Sequence, residues 1–188
     1  MAEDAAPTLV PGRECGPCTA CCVHLMVHST EFTKLQGVVC PNCELERGCK
    51  IYATRPQPCR DFICGWRTMA QFDEHWRPDK SGVIVKVTED PAGATEFHFV
   101  LFGSKYVLLQ PKFAAMIGQF VAKDLQTYLV LPGKPEEMST KVHLNAGLRS
   151  AVARRDLTAI SSGLAQAYES GMNAPREKLD LASLTPEI

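Results

Sequence analysis

The sequence predicts an α+β fold in which a small, irregular cysteine-rich module packs on a small sheet carrying two to four helices. Three observations point there. All nine cysteines fall between Cys15 and Cys64, and the 124 residues that follow contain none. From residue 81 apolar and polar residues alternate, the period of a strand with one buried face. Beyond residue 110 apolar residues recur at helical spacing.

In chain order, residues 1–12 carry Pro7 and Pro11 and little pattern, which predicts a loose tail. Residues 13–78 form the cysteine-rich module, punctuated by Pro17, Pro41, Pro56 and Pro58 and by glycines 16, 37, 48 and 65. Such punctuation favours turns and very short helices. Residues 79–171 read as the α+β scaffold. Val83, Val85 and Val87 set against Lys86 and Thr88 predict a strand, and residues 91–93 a turn. Phe97, Phe99 and Leu101 share a face of the next strand, and residues 105–110 form a third strand before Pro111. Phe113, Met116, Ile117 and Phe120 lie on one side of a helix over 112–123, with Pro111 suited to its start. Residues 127–131 read as a strand closed by Pro132-Gly133. Asn145 caps a helix to about Arg155, and Asp156 caps another to about Ser170, ended by Gly171. The remainder, 172–188, reads as a polar tail, and residues 76–80 as the junction that docks the module on the sheet.

The N-terminus, MAEDAAPTLVPGREC, has acids where a secretory signal needs a basic start and an apolar core. No apolar run approaches the ~20 residues needed to span a bilayer. The expected setting is therefore the cytoplasm, where thiols serve as metal ligands or redox groups rather than as disulfides. A formal net charge of −1 gives no electrostatic reason to expect nucleic acid or a membrane as a partner.

The spacing is Cys15-x2-Cys18-x2-Cys21-Cys22, then Cys40-x2-Cys43-x5-Cys49-x9-Cys59-x4-Cys64. Cysteines two residues apart can place both sulfurs on one ion through a tight knuckle, and Gly16-Pro17 suits that turn. Zinc takes four such ligands in a tetrahedron, and iron–sulfur clusters also take four thiolates. If Pro17 opens a helix, Cys18 and Cys22 share a face while Cys21 points about 100° away from Cys22. One four-cysteine site then leaves thiols unused; two sites, or one polynuclear site, use the count better. Residues 11–67 carry seven basic and five acidic side chains, a net of +2. Eight thiolates would take this region to −6, and two divalent ions would return it to −2, so metal makes clustered thiolates tolerable.

CGPCTACC at 15–22, with Gly48-Cys49-Lys50-Ile51-Tyr52 and Arg55-Pro56-Gln57-Pro58-Cys59-Arg60-Asp61-Phe62-Ile63-Cys64, resembles the CxxCxxCC cysteine-cluster family, the YkgJ-type zinc- or iron-chelating domain proteins of bacteria. The resemblance covers about residues 13–66. It implies eight metal-site cysteines, namely Cys15, Cys18, Cys21, Cys22, Cys40, Cys49, Cys59 and Cys64, with Cys43 outside the pattern. It implies a metal-binding protein chelating zinc or iron, with an iron–sulfur cluster as one form, and assigns no physiological role. The alternative is an iron–sulfur-dependent redox enzyme or electron carrier.

Other readings are weaker. Cys15-Gly16-Pro17-Cys18 has the letters of a thioredoxin dithiol, but that fold needs a strand before the motif, and PTLVPGRE is short and broken by proline. A zinc-ribbon nucleic-acid binder would need a basic surface. His24 and His28 would share a helical face beside the cluster and are better placed for packing than for ligation. Tyr52, Phe62, Trp66 and Trp76 read as an apolar jacket for the metals. There is no phosphate-cradling glycine loop, no G-x-S-x-G and no H-E-x-x-H, so catalysis, if present, would reside in the cysteine cluster.

Overall fold

The computed structural model describes residues 8–30 and 32–181. The remaining residues of the expected tails at 1–12 and 172–188 lie outside that range. The fold is α+β, as expected. Its scaffold is a four-stranded sheet of β5 (Val83–Glu89), β6 (Thr95–Leu101), β7 (Gln126–Leu131) and β8 (Thr140–His143), in that spatial order. β5 and β8 run antiparallel to their neighbours, while β6 and β7 are parallel. A parallel pair needs a crossover, and helix α5 (Pro111–Ala122) supplies it, with Pro111 in its first turn.

Both faces of the sheet are covered, which explains the burial of three consecutive residues, Val83, Ile84 and Val85, at the start of β5. The odd-numbered side chains Val83, Val85, Phe99, Leu101, Leu129 and Leu131 enter the main core. There they meet α5, α6 (Asn145–Ala153) and α7 (Leu157–Asn173) through residues such as Phe113, Ile117, Leu148 and Leu164. Each such side chain, fully buried, contributes roughly 1.5–3 kcal/mol. The even-numbered Ile84, Val100 and Val130 lie in the other direction, against Ala20, Cys18, Leu25, Phe62 and Cys64 of the cysteine-rich module. The second face of the sheet is thus the module's seat.

Several sequence expectations change. Residues 105–109 form a 3-10 turn rather than a strand, because Ser104 Oγ accepts from Tyr106 N–H at 3.3 Å and starts a tight turn toward α5. Strand β8 is short, and its exposed Lys141 and His143 hide it from a hydrophobic pattern. Asn145 is buried inside the first turn of α6 rather than capping it, and its amide accepts from Thr127 N–H (3.0 Å) and donates to the Leu125 carbonyl (2.8 Å). Gly171 does not end α7. It is buried within it, and a Cβ there would stand 2.8 Å from Leu131 and Val142. After α7, Met138 N–H donates to the Glu177 carbonyl and Leu179 N–H to the Glu136 carbonyl, each at 2.8 Å. Asp156 does cap α7, accepting from Ala159 N–H at 2.9 Å. Asp156→Ala is expected to lower the unfolding free energy by about 1 kcal/mol, read as a reduced midpoint in urea with an unchanged slope.

Trp76 is buried and stacks on Phe113 with ring centroids 5.2 Å apart, and Trp66 and Phe72 join it in the main core. Arg13 ties the start of the module to this corner, donating to the carbonyls of Trp66, Met69, Ala70 and Phe72.

Candidate metal centre

The module is assembled from very small pieces: helices α1 (Ala20–His24), α2 (Gln57–Asp61), α3 (Gly65–Thr68) and α4 (Pro78–Ser81), and strand pairs β1–β2 (Val27–His28 with Thr33–Lys34) and β3–β4 (Cys43–Glu44 with Gly48–Cys49). Helices α1 and α2 and the β3–β4 pair carry cysteines, and a cysteine directly precedes α3. The turn at Gly16-Pro17 closes with Cys18 N–H on the Cys15 carbonyl at 2.9 Å, and Gly16 supplies the positive φ of 51° it needs. Cys40 N–H reaches the Cys22 carbonyl at 2.9 Å, joining the two halves of the cysteine pattern. Cys59 sits in α2, and Cys64 directly precedes α3, whose Gly65 lies against Val85 of the sheet.

Helix α1 starts at Ala20, not Pro17. Cys18 therefore lies ahead of the helix and does not share a face with Cys22. It falls instead with Cys15 and Cys64: the Cys15 charge reaches the thiols of Cys18 and Cys64, and the Cys18 charge reaches Cys64. A second neighbourhood gathers Cys22, Cys40, Cys49 and Cys59, with Cys21 bonded to the Cys22 thiol. Cys43 also bonds to the Cys22 thiol.

Between the module and the even face of the sheet lies a cavity of about 1010 Å³. Cys15, Cys18, Cys21, Cys22, Cys40, Cys49, Cys59 and Cys64 all line it, and Cys43 does not. Six basic side chains (Lys34, Arg55, Arg67, Arg77, Lys86 and Lys141) and two acidic ones (Asp61 and Glu137) share the lining. Arg77 and Lys141 are paired with Asp79 and Glu96. Lys34 is 4% exposed and donates to the carbonyls of Val23, Leu35 and Val38 at 2.9–3.1 Å, so its ammonium is fixed. It feels the charges of Cys40, Cys22, Cys21 and Cys59. Among the described residues, no three His, Cys, Asp or Glu side chains meet closely enough to enclose an ion.

Burial is the first cause raising the pKa of Cys18, Cys43, Cys49, Cys59 and Cys64, with neighbouring thiolates adding to it. Cys43 and Cys64 are pushed up from 9.0 to about 11. Cys22 is raised chiefly by its bond with Cys21. The sign for stability follows: the unfolded chain loses these protons first, so the metal-free fold keeps its full thiol contribution below about pH 9 and loses it as pH climbs toward about 11. A melting-temperature series on metal-free protein is expected to show that decline and no comparable change between pH 7 and 8.

The histidines part company, because α1 ends at His24 and His28 belongs to β1. His24 stacks on Phe102 at 3.9 Å, and burial depresses its basicity. His28 is exposed, 3.1 Å from Thr33 Oγ1. The aromatic jacket also divides: Trp66 and Trp76 belong to the main core, Phe62 packs beneath the cavity, and Tyr52 is 43% exposed. Sequence reasoning missed the cavity's sheet-borne wall, which runs from Ile84, Val100 and Val130 to Lys86, His98 and Lys141.

No family model matches the chain, and no curated protein or solved structure matches it. The likeness to the cysteine-cluster family rests on the residues and spacing of 13–66 alone. No helix among the described residues is long and apolar enough to cross a membrane.

Proposed function

We propose that the protein chelates zinc or iron through the thiolates of Cys15, Cys18, Cys21, Cys22, Cys40, Cys49, Cys59 and Cys64. The observation that carries this reading is their common cavity, which admits these eight and leaves Cys43 out. Cysteines kept only as small apolar residues would have no reason to converge on one space. The donor set fits a soft or borderline ion, and the two thiol neighbourhoods favour two ions or one polynuclear group over a single tetrahedral site. Lys34 and Arg55 supply positive charge to the thiols of the second neighbourhood. Uptake displaces the thiol protons, because the thiolate is the ligating form.

Protein purified without oxygen tests the reading through metal and acid-labile sulfide per chain and the visible spectrum. Zinc without sulfide gives a colourless chelating protein. Iron with an equivalent of sulfide and a brown colour gives the redox or electron-carrying form. A folded chain with neither metal and all nine thiols titratable overturns the proposal.

A further inference from the structure

Cys15 differs from Cys18, Cys22, Cys49 and Cys64 in what it receives. Cys18 and Cys64 accept backbone amides from Ala20 and Trp66, Cys49 accepts from Ile51, and Cys22 exchanges bonds with other thiols. Cys15 Sγ is met by side-chain donors: the Tyr52 hydroxyl at 3.7 Å and the Arg67 guanidinium at 4.0 Å. These donors are themselves held. Arg67 Nη1 donates to the Tyr52 hydroxyl at 3.0 Å, and its Nε donates to the Arg13 carbonyl at 3.2 Å. The Arg55 guanidinium lies over the Tyr52 ring, 4.0 Å from its centroid. Tyr52 is 43% exposed, so this corner of the cavity faces solvent, whereas Cys64 stands at the buried sheet wall beside Val85.

Resting on the metal-binding reading, we infer that Cys15 is the exchange ligand of the centre, the thiolate that releases first when the ion passes to an acceptor. Tyr52 and Arg67 are its positioning residues. Hydrogen bonds to a thiolate withdraw electron density from sulfur and weaken its bond to a metal. A guanidinium also stabilises the thiolate once it is free. The step is a ligand exchange. A lone pair on the acceptor forms a new bond to the ion, and the metal–sulfur bond to Cys15 breaks with its electron pair kept on sulfur. No oxidation state changes and no proton need move.

The test uses the full chain loaded with zinc, its stoichiometry fixed first, and follows ion transfer to the chromophoric chelator 4-(2-pyridylazo)resorcinol. Tyr52→Phe and Arg67→Met are expected to keep the zinc content and slow transfer by about fivefold each, the scale of one net hydrogen bond. Arg67→Lys is expected to restore part of the rate. In cobalt-loaded protein both losses are expected to move the sulfur-to-cobalt charge-transfer band to lower energy, a shift that a purely structural role would not give. Arg47→Met, at an exposed arginine that pairs with Glu44, serves as the control for lost positive charge. Wild-type rates and an unmoved band in zinc-replete Tyr52→Phe and Arg67→Met overturn the inference and leave metal binding standing. A wild type that takes up no zinc overturns both, and the stoichiometry read at the outset tells the two failures apart.

Discussion

The zinc-loaded chain is expected to melt about 10 °C above the same chain stripped by a chelator. Ligand at a thousand times its dissociation constant stabilises a fold by about 4 kcal/mol, and a domain of this size gains about 2–4 °C per kcal/mol. The physical reason lies in the module's construction. Its helices are four and five residues long and its strands two, lengths at which hydrogen bonding alone does not hold a chain. Its residues 15–64 are anchored mainly by the patch around Ala20, Phe62 and Ile84, while Trp66, Phe72 and Trp76 beyond them join the core of the scaffold, which is continuous through the sheet and three helices. Metal removal is therefore expected to act locally. Hydrogen exchange should speed up over residues 15–64 in the stripped protein and stay slow in α5 and α7. Uniform acceleration across the chain, or no change in melting temperature, would contradict this division of labour.

Gly48→Ala is expected to cost about 3 kcal/mol, the sum of backbone strain and overpacking. Gly48 stands at φ 106°, in a region that glycine alone visits readily. A Cβ there would lie 2.6 Å from the Gly16 carbonyl oxygen, a backbone atom that cannot rotate aside. The substitution thus wedges the β3–β4 hairpin, which carries Cys49, away from the Cys15–Cys18 turn. Chemical denaturation gives the stability loss. Zinc titration of the folded fraction should show weakened uptake as well. Gly147→Ala is the matched control, since a Cβ at Gly147 meets nothing within 4 Å.

Much of the scaffold was legible because period and capping are local. Phe97, Phe99 and Leu101 share the core face of β6, and Asp156 caps α7. What escaped depends on neighbours distant in sequence. Alternation in β5 presupposes one wet face, so Ile84 could not be seen as buried until the module was known to lie over it. Residues 105–109 carry strand-like letters, and the Ser104 cap decided against them. For the centre, spacing left Cys43 as competent as the rest; the resemblance implied eight cysteines, and those eight line the cavity. Spacing could not group them, because grouping turns on helix α1 starting at Ala20 rather than at Pro17. Tyr52 read as an apolar shield, and only the fold, joining it to Cys15 across 37 residues and to Arg67 across 15, shows its hydroxyl on sulfur.

The most direct test of the central claim is metal content per chain in Cys43→Ser and Cys59→Ser compared with the wild type, all purified without oxygen. Cys43 lies outside the cavity and Cys59 lines it, so Cys43→Ser is predicted to retain the wild-type metal content and Cys59→Ser to fall below it. Loss of metal in Cys43→Ser with retention in Cys59→Ser would contradict the assignment.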